Sequence, residues 1–268
     1  MPFYTKTQGS LEYLGSQVLT VPHAFTTRRG GCSTGYLESL NLGTNRGDSP
    51  ENVLRNYEIL GSALGFSPAD TVFTRQTHSA IVARVGRADR GQGLFAPVPG
   101  ERDGLITNEP GVVLTVFSAD CTPVLLHDPV HRAVGAVHAG WRGTAGGIAA
   151  KAVEAMTSAF GTRPEDIQAA IGPCIGPCCF ETGEDVPAAM VKALGEEALP
   201  AIAGNGPKYH VNLKQLNEIW LRRAGVVTLE ICPDCTACQN RRFWSHRVVG
   251  DHRGSLAAVI WLPEGDRP

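Results

Sequence analysis

Apolar positions along the chain follow two rhythms, and each predicts its own kind of element. From Ser49 to Leu64 they fall at Val53, Tyr57, Leu60 and Leu64, steps of four, three and four that line one face of a helix. Ser49 suits the N-cap and Pro50 the first helical turn. A second helix is expected over about Thr144–Phe160, with Ile148, Ala152, Val153, Met156 and Phe160 on one stripe. A third starts near Pro187 and runs to Leu194. The fourth opens on Asn212 and Gln215 as a capping box, buries Leu213, Leu216, Trp220 and Ala224, and ends at Gly225. Between the helices the pattern is β-rich: Val72–Val85, then the uninterrupted apolar runs Val112–Ser118, Thr122–His127 and Ala133–His138, a short strand at Ile167–Ile171 and a closing one at Ala257–Leu262. Gly91–Arg102 and the run GPCIGPCC are too rich in glycine and proline for regular structure.

No linker, repeat or low-complexity block divides the 268 residues, so one mixed α/β domain over 1–268 is expected, frayed over about 264–268. At 43% hydrophobic the chain can bury a large core. Its net charge of −2, from 24 basic and 26 acidic residues, gives no reason to expect nucleic acid or a membrane as partner. The opening MPFYTKTQGSLEYLG lacks the apolar core of an export signal, and a cytoplasmic protein is expected. Eight cysteines are then reduced thiols, to be explained by burial, metal binding or catalysis.

Three of the segments carry soft or borderline metal ligands beside strand ends: His78 in TRQTH, Cys121 in SADC and His138 in VHAGWR. Two imidazoles and a thiolate suit zinc, and three protein ligands leave a fourth position open, the pattern of a catalytic site. The same atoms admit a metal-free alternative, with Cys121 as nucleophile and His138 as its base in a cysteine hydrolase or amidase. A third possibility is that all three are simply buried core groups. Spacing alone leaves these readings open.

The stretches FTTRRGGCS, SLNLG with the following GD, RQTH, DGLIT, TVFSADCTPVLLHDP, AVHAGWRGTAGGI, IGPCIGPCCFE and FWSHR, ordered from about residue 24 to the final VIWL, resemble one family. It is the YfiH-like family, labelled multicopper polyphenol oxidases or laccase-domain proteins and also peptidoglycan editing factors, and assigned as zinc-dependent purine nucleoside phosphorylases that also deaminate adenosine. The resemblance implies an α+β domain whose central mixed sheets form a sandwich flanked by helices. It implies His78, Cys121 and His138 as ligands of one zinc, Asp103 and Arg142 in catalysis, and Arg28 and Asn41 in substrate binding. The expected substrates are phosphate and a purine nucleoside, adenosine, inosine or methylthioadenosine, handled by a monomer. A peptidoglycan-editing amidase built on Cys121 and His138 is the rival that the other family name implies.

The laccase label conflicts with the residues. Four coppers need paired His-x-His segments, and the eight histidines (23, 78, 127, 131, 138, 210, 246 and 252) include none. Copper is therefore expected only as an adventitious occupant. Cys232, Cys235 and Cys238, with Cys174, Cys178 or Cys179, suggest a second metal or an iron–sulfur cluster, but the plainer expectation is reduced thiols in loops. Gly30 and Gly31 are expected to serve a turn rather than to cradle phosphate.

Overall fold

Two six-stranded sheets stacked face to face make up the centre of the computed structural model, which describes residues 3–204 and 206–265. In chain order the elements are β1 (Tyr4–Gln8), β2 (Leu11–Gly15), β3 (His23–Thr26), α1 (Pro50–Leu64), β4 (Thr71–Phe73), β5 (Val82–Arg84), β6 (Gly104–Thr107), β7 (Val113–Ser118), β8 (Thr122–Asp128) and β9 (Ala133–Ala139). They continue with α2 (Trp141–Ala145), α3 (Ile148–Phe160), β10 (Gln168–Ile171), β11 (Glu181–Thr182), α4 (Asp185–Leu194), β12 (Ile202–Ala203), β13 (Tyr209–Val211), α5 (Leu213–Arg223), β14 (Thr228–Ile231), α6 (His246–Val249) and β15 (Leu256–Ile260). The first sheet runs β1-β2-β3-β15-β7-β4 and the second β14-β10-β8-β9-β6-β5, with β11-β13-β12 as a small third. Both large sheets are mixed: β4 pairs with β7, β5 with β6 and β10 with β14 in parallel, and the remaining pairs are antiparallel.

The long apolar runs follow from burial of both faces of these strands. On β7, Leu114 and Val116 point into the space between the sheets, where they meet Leu125 of β8 and Ala136 of β9. Val113 faces the other way, onto Val53, Tyr57 and Leu60 of α1. Val124 and Leu126 of β8 likewise turn outward, onto Ile148, Ala152, Val153 and Met156 of α3. The result is helix, sheet, sheet, helix. It is the sandwich flanked by helices that the family resemblance implies.

Local signals set most of the helix ends. The Ser49 side chain accepts from Asn52 N–H at 3.1 Å, and α1 stops at Gly65, whose φ is +87°. Asn212 Oδ1 accepts from Gln215 N–H at 3.3 Å to start α5, which ends one residue before Ala224. The single helix expected over Thr144–Phe160 is instead two, because Gly147 (φ +70°) breaks it and presses on the Trp220 ring, where an added Cβ would sit 3.3 Å away. Eight short strands, β1, β2, β3, β6, β11, β12, β13 and β14, were not expected from the sequence. The region Val72–Val85 is not one β unit: β4 and β5 lie in different sheets, and the chain between them carries His78. At the tail, Glu264 pairs with Arg90 at 2.8 Å, while the rest of the expected frayed end, 266–268, lies outside the described residues. Among the described residues no helix is long and apolar enough to cross a membrane.

Candidate metal centre and cavity

The chain crosses from the first sheet to the second twice, and each crossing delivers one of the three candidate ligands. The β4-to-β5 passage holds His78, and the tight turn from β7 to β8 holds Cys121. The antiparallel register of β8 and β9 sets Pro123 opposite His138, so Cys121, just before β8, comes alongside that histidine. The three donor atoms lie within 4.8 Å of one another. Cys121 Sγ is 3.7 Å from His78 Nε2, and the two imidazole rings meet edge to face with centroids 5.1 Å apart.

Two buried carboxylates hold these passages. Asp103 accepts from the backbone N–H of Thr77 (3.1 Å), His78 (3.0 Å) and Ser79 (2.9 Å), from the Ser79 hydroxyl (2.7 Å) and from His138 Nδ1 (2.8 Å). Burial pushes its carboxyl up, but the His138 and Ser79 hydrogen bonds outweigh that and bring it down to about 2. Asp120 accepts from the Thr236 hydroxyl (2.6 Å), the Ser245 hydroxyl (3.0 Å) and Arg247 N–H (2.7 Å), and thereby fixes the turn that carries Cys121. His78 (φ +61°) and Asp120 (φ +95°) both have the left-handed backbone that ordinary side chains avoid, at a cost of about 1–3 kcal/mol each. Without a cation, burial resists charge on the pair of Cys121 and His138. Their mutual attraction prevails, lowering the thiol to about 6 and raising the imidazole to about 9.

The arrangement fits a tetrahedral zinc. Donation of Nδ1–H to Asp103 leaves His138 Nε2 as the free lone pair, and two nitrogens with one sulfur leave a position open. Gly140 supplies the room: a Cβ there would lie 2.3 Å from His78 Cδ2 and 3.2 Å from Cys121 Sγ.

His78, Cys121 and His138 line a cavity of about 430 Å³, within the usual range of small-ligand sites. Its walls include Phe73 and Phe117, edge to face at 5.0 Å, and the side chains of Pro97 and Val98. Gln76 anchors one side by receiving Phe117 N–H at 2.7 Å and donating to Phe117 O at 2.9 Å. Arg46, Arg75 and Arg253 also line it. The Arg253 guanidinium is lowered to about 10, first by burial and then by the neighbouring charge of Arg46.

Of the other expected site residues, none has a free group lining this cavity. Asp103, expected to handle a proton or hold the ligand, is fully buried outside the cavity lining, with both oxygens accepting from the protein. Asn41 is buried one layer behind the wall, where it receives Gly43 N–H and Ser255 N–H (both 3.0 Å), so it shapes the lining loop. Arg28 lies over the Trp244 ring at 3.7 Å and donates to Glu38 O and Asn240 O. Arg142 is exposed on α2 against the Trp141 ring. Gly30 and Gly31 spend their N–H groups on the Ser39 hydroxyl (3.0 and 3.3 Å), as a turn would. Arg46, Arg75 and Arg253 escaped the sequence reading because scattered arginines carry no periodic or motif signal. The GTNRGD run was the one available pointer to Arg46.

The sandwich and its three-ligand centre define a class. Residues 22–263 match the family model described as multi-copper polyphenol oxidoreductase laccase, and the chain belongs to that family. It is 40% identical over 260 residues to a purine nucleoside phosphorylase of Deinococcus radiodurans, covering 96% of this chain and 95% of that one. It is 39% identical to the purine nucleoside phosphorylase YlmD of Geobacillus stearothermophilus, with 88% of each covered. The crystal structure of that YlmD superimposes with a TM-score of 0.92 at 35% identity, over 98% of this chain and 100% of the other.

Proposed function

We propose that this chain is a zinc-dependent purine nucleoside phosphorylase, converting adenosine, inosine or methylthioadenosine and phosphate into free base and the pentose 1-phosphate, with accompanying deamination of adenosine. The observation that carries the reading is the joining, in one cavity, of a three-ligand metal centre, three arginines and a pair of phenylalanines. The names of the relatives agree with it.

Phosphorolysis forms a bond from a phosphate oxygen to C1′ as the C1′–N bond breaks and its electrons pass to the purine. Arg46 and Arg253 repel each other until an oxyanion lies between them, which suits them to phosphate; guanidinium forks match its oxygens. Phe117, backed by the buried Phe73 ring, and Val98 offer the apolar surface that a purine needs. His78, Cys121 and His138 would hold the cation, and Asp103 would keep His138 in the ligating tautomer. When bound, zinc supplies Lewis-acid polarisation of an oxygen in the open position, for phosphorolysis or for hydrolytic loss of the C6 amino group.

Among the described residues the groups of three or more convergent donors contain no set of three histidines, so the trinuclear copper cluster of a laccase has no seat there. Copper remains an adventitious occupant of the same three ligands. The metal-free amidase reading leaves the approach of His78 to Cys121 without a purpose. The test is to give zinc-loaded protein inosine or adenosine with and without phosphate, and to measure base, pentose 1-phosphate and ammonia. Phosphate-dependent release of base supports the assignment. Absence of pentose 1-phosphate under every metal condition refutes it. Ammonia from adenosine without phosphate marks the deaminase activity, and turnover by chelated protein that is abolished by thiol alkylation would favour the amidase.

A further inference from the structure

Cysteines 178, 179, 235 and 238 come from two segments almost sixty residues apart in sequence, yet their sulfur atoms all lie within 4.8 Å of one another. Cys232 and Cys174, grouped with them by spacing, are buried and stand outside this group of four. Cys178 Sγ and Cys179 Sγ lie 3.5 and 3.4 Å from Cys238 Sγ, and all eight cysteines of the chain are free thiols. The sulfurs of a zinc tetrathiolate are separated by about 3.8 Å, from a Zn–S distance of about 2.3 Å in a tetrahedron. The four sulfurs are therefore spaced as ligands of one ion rather than as two disulfides, whose sulfurs bond at about 2.05 Å.

The surrounding backbone is arranged for thiolates. Cys235-Thr-Ala-Cys238 has the C-x2-C spacing of a zinc hairpin. The N–H groups of Gly176 (3.1 Å) and Cys238 (3.5 Å) both point at Cys235 Sγ. Cations lie against the same two loops: Arg247 Nη1 donates to the carbonyls of Cys179 and Glu181 (both 3.0 Å), and Lys214 Nζ to those of Cys232 (2.6 Å) and Asp234 (2.7 Å). Both cations fasten the backbone of the loops that carry the four cysteines.

We propose that Cys178, Cys179, Cys235 and Cys238 bind a second zinc ion, closed to solvent ligands and structural in role. The ion joins the loop after β10 to the loop after β14. Those loops are otherwise joined by the bridge pairing Cys174 with Cys235 and by Thr236 N–H to Cys174 O at 3.1 Å. Binding releases the thiol protons and involves no redox change. Its consequence reaches the first metal: Thr236, between two of the new ligands, donates to Asp120, and Ile175 N–H donates to Asp120 O at 3.0 Å. The second ion thus braces the turn that presents Cys121.

The test counts metal per chain in protein prepared anaerobically with reductant and zinc, and then desalted. The wild type is expected to hold two equivalents. The double variant Cys178→Ser/Cys238→Ser and the double variant His78→Ala/His138→Ala are each expected to hold one. Cobalt in the histidine variant should give the intense thiolate charge-transfer bands of an all-sulfur tetrahedral site, which a site of mixed nitrogen and sulfur ligands does not match. In the wild type, alkylation should spare these four thiols until a chelator is added. One equivalent in the wild type that disappears in the histidine variant overturns the proposal. So does cobalt bound to that variant without thiolate bands, or disulfides among these four cysteines in the anaerobic protein.

Discussion

Asp103→Asn isolates the positioning carboxylate from the ligands it serves. The carboxylate receives five donors, three on Oδ2 and two on Oδ1, and an amide of the same shape must turn its NH2 toward one set. Facing Thr77 and Ser79, it would oppose three donors. Facing His78 N–H and His138, it opposes one fixed donor, and His138 can adapt by giving up its Nδ1 proton and keeping the one on Nε2. The second placement is the less costly, and it blocks the nitrogen that ligates. Each lost charge-assisted hydrogen bond is worth about 1.5–3 kcal/mol, so the metal-free variant should be less stable by about 3 kcal/mol or more. Loss of the partner that orients a metal-bound histidine costs about 10–100-fold in metal affinity. Urea unfolding of the metal-free proteins gives the first quantity and competition with a chromogenic chelator the second. A variant that is destabilised yet binds zinc with wild-type affinity would refute the tautomer argument and leave Asp103 a purely structural residue.

Other perturbations test neighbouring steps of the same reasoning. Gly140→Ala puts a methyl group 2.3 Å from the His78 ring, and overpacking of about 1–3 kcal/mol should cut metal affinity by about tenfold or more with little change in circular dichroism; unaltered affinity would show that the ring has room to move. Arg253→Ala removes one of the guanidiniums assigned to phosphate, and steady-state kinetics should show the phosphate KM rising about tenfold or more while the nucleoside KM changes little. An equal rise in both constants would mean that Arg253 shapes the whole cavity instead. Asp128, buried in the β8–β9 turn, accepts from Val130 N–H and His131 N–H, and its hydrogen bonds overcome burial to hold its carboxyl below the usual range. A depressed carboxyl stabilises the fold fully above its unfolded value of about 3.9 and loses that contribution as pH falls through the folded one. Asp128→Asn should therefore be destabilised by about 2 kcal/mol at neutral pH, with the gap to wild type in denaturant midpoints closing below about pH 4. A gap independent of pH would contradict the charge argument.

The sequence by itself determined the elements whose signals are local. Ser49, Pro50 and Gly65 bracket α1, and Asn212 with Gln215 starts α5, because caps and turns act within a few residues. The doubly buried strands β7, β8 and β9 were legible because both faces demand apolar side chains. So were the three candidate ligands, whose residue types limit what they do together. Short strands such as β6 and β14 were not legible, since four residues carry too little pattern to separate them from loop. Tertiary structure alone decided that β4 and β5 belong to different sheets, which turned the passage around His78 into one side of a cavity. It alone set Asp103 behind His138, with both oxygens accepting from the protein, and brought Arg46 and Arg253 together from opposite ends of the chain. It also sorted the cysteines, separating Cys232 from Cys235 and joining the latter to Cys178. Caps and periodicity are settled by nearest neighbours along the chain. A site is settled by which distant segments share a volume, and here the stacking of two sheets sets that.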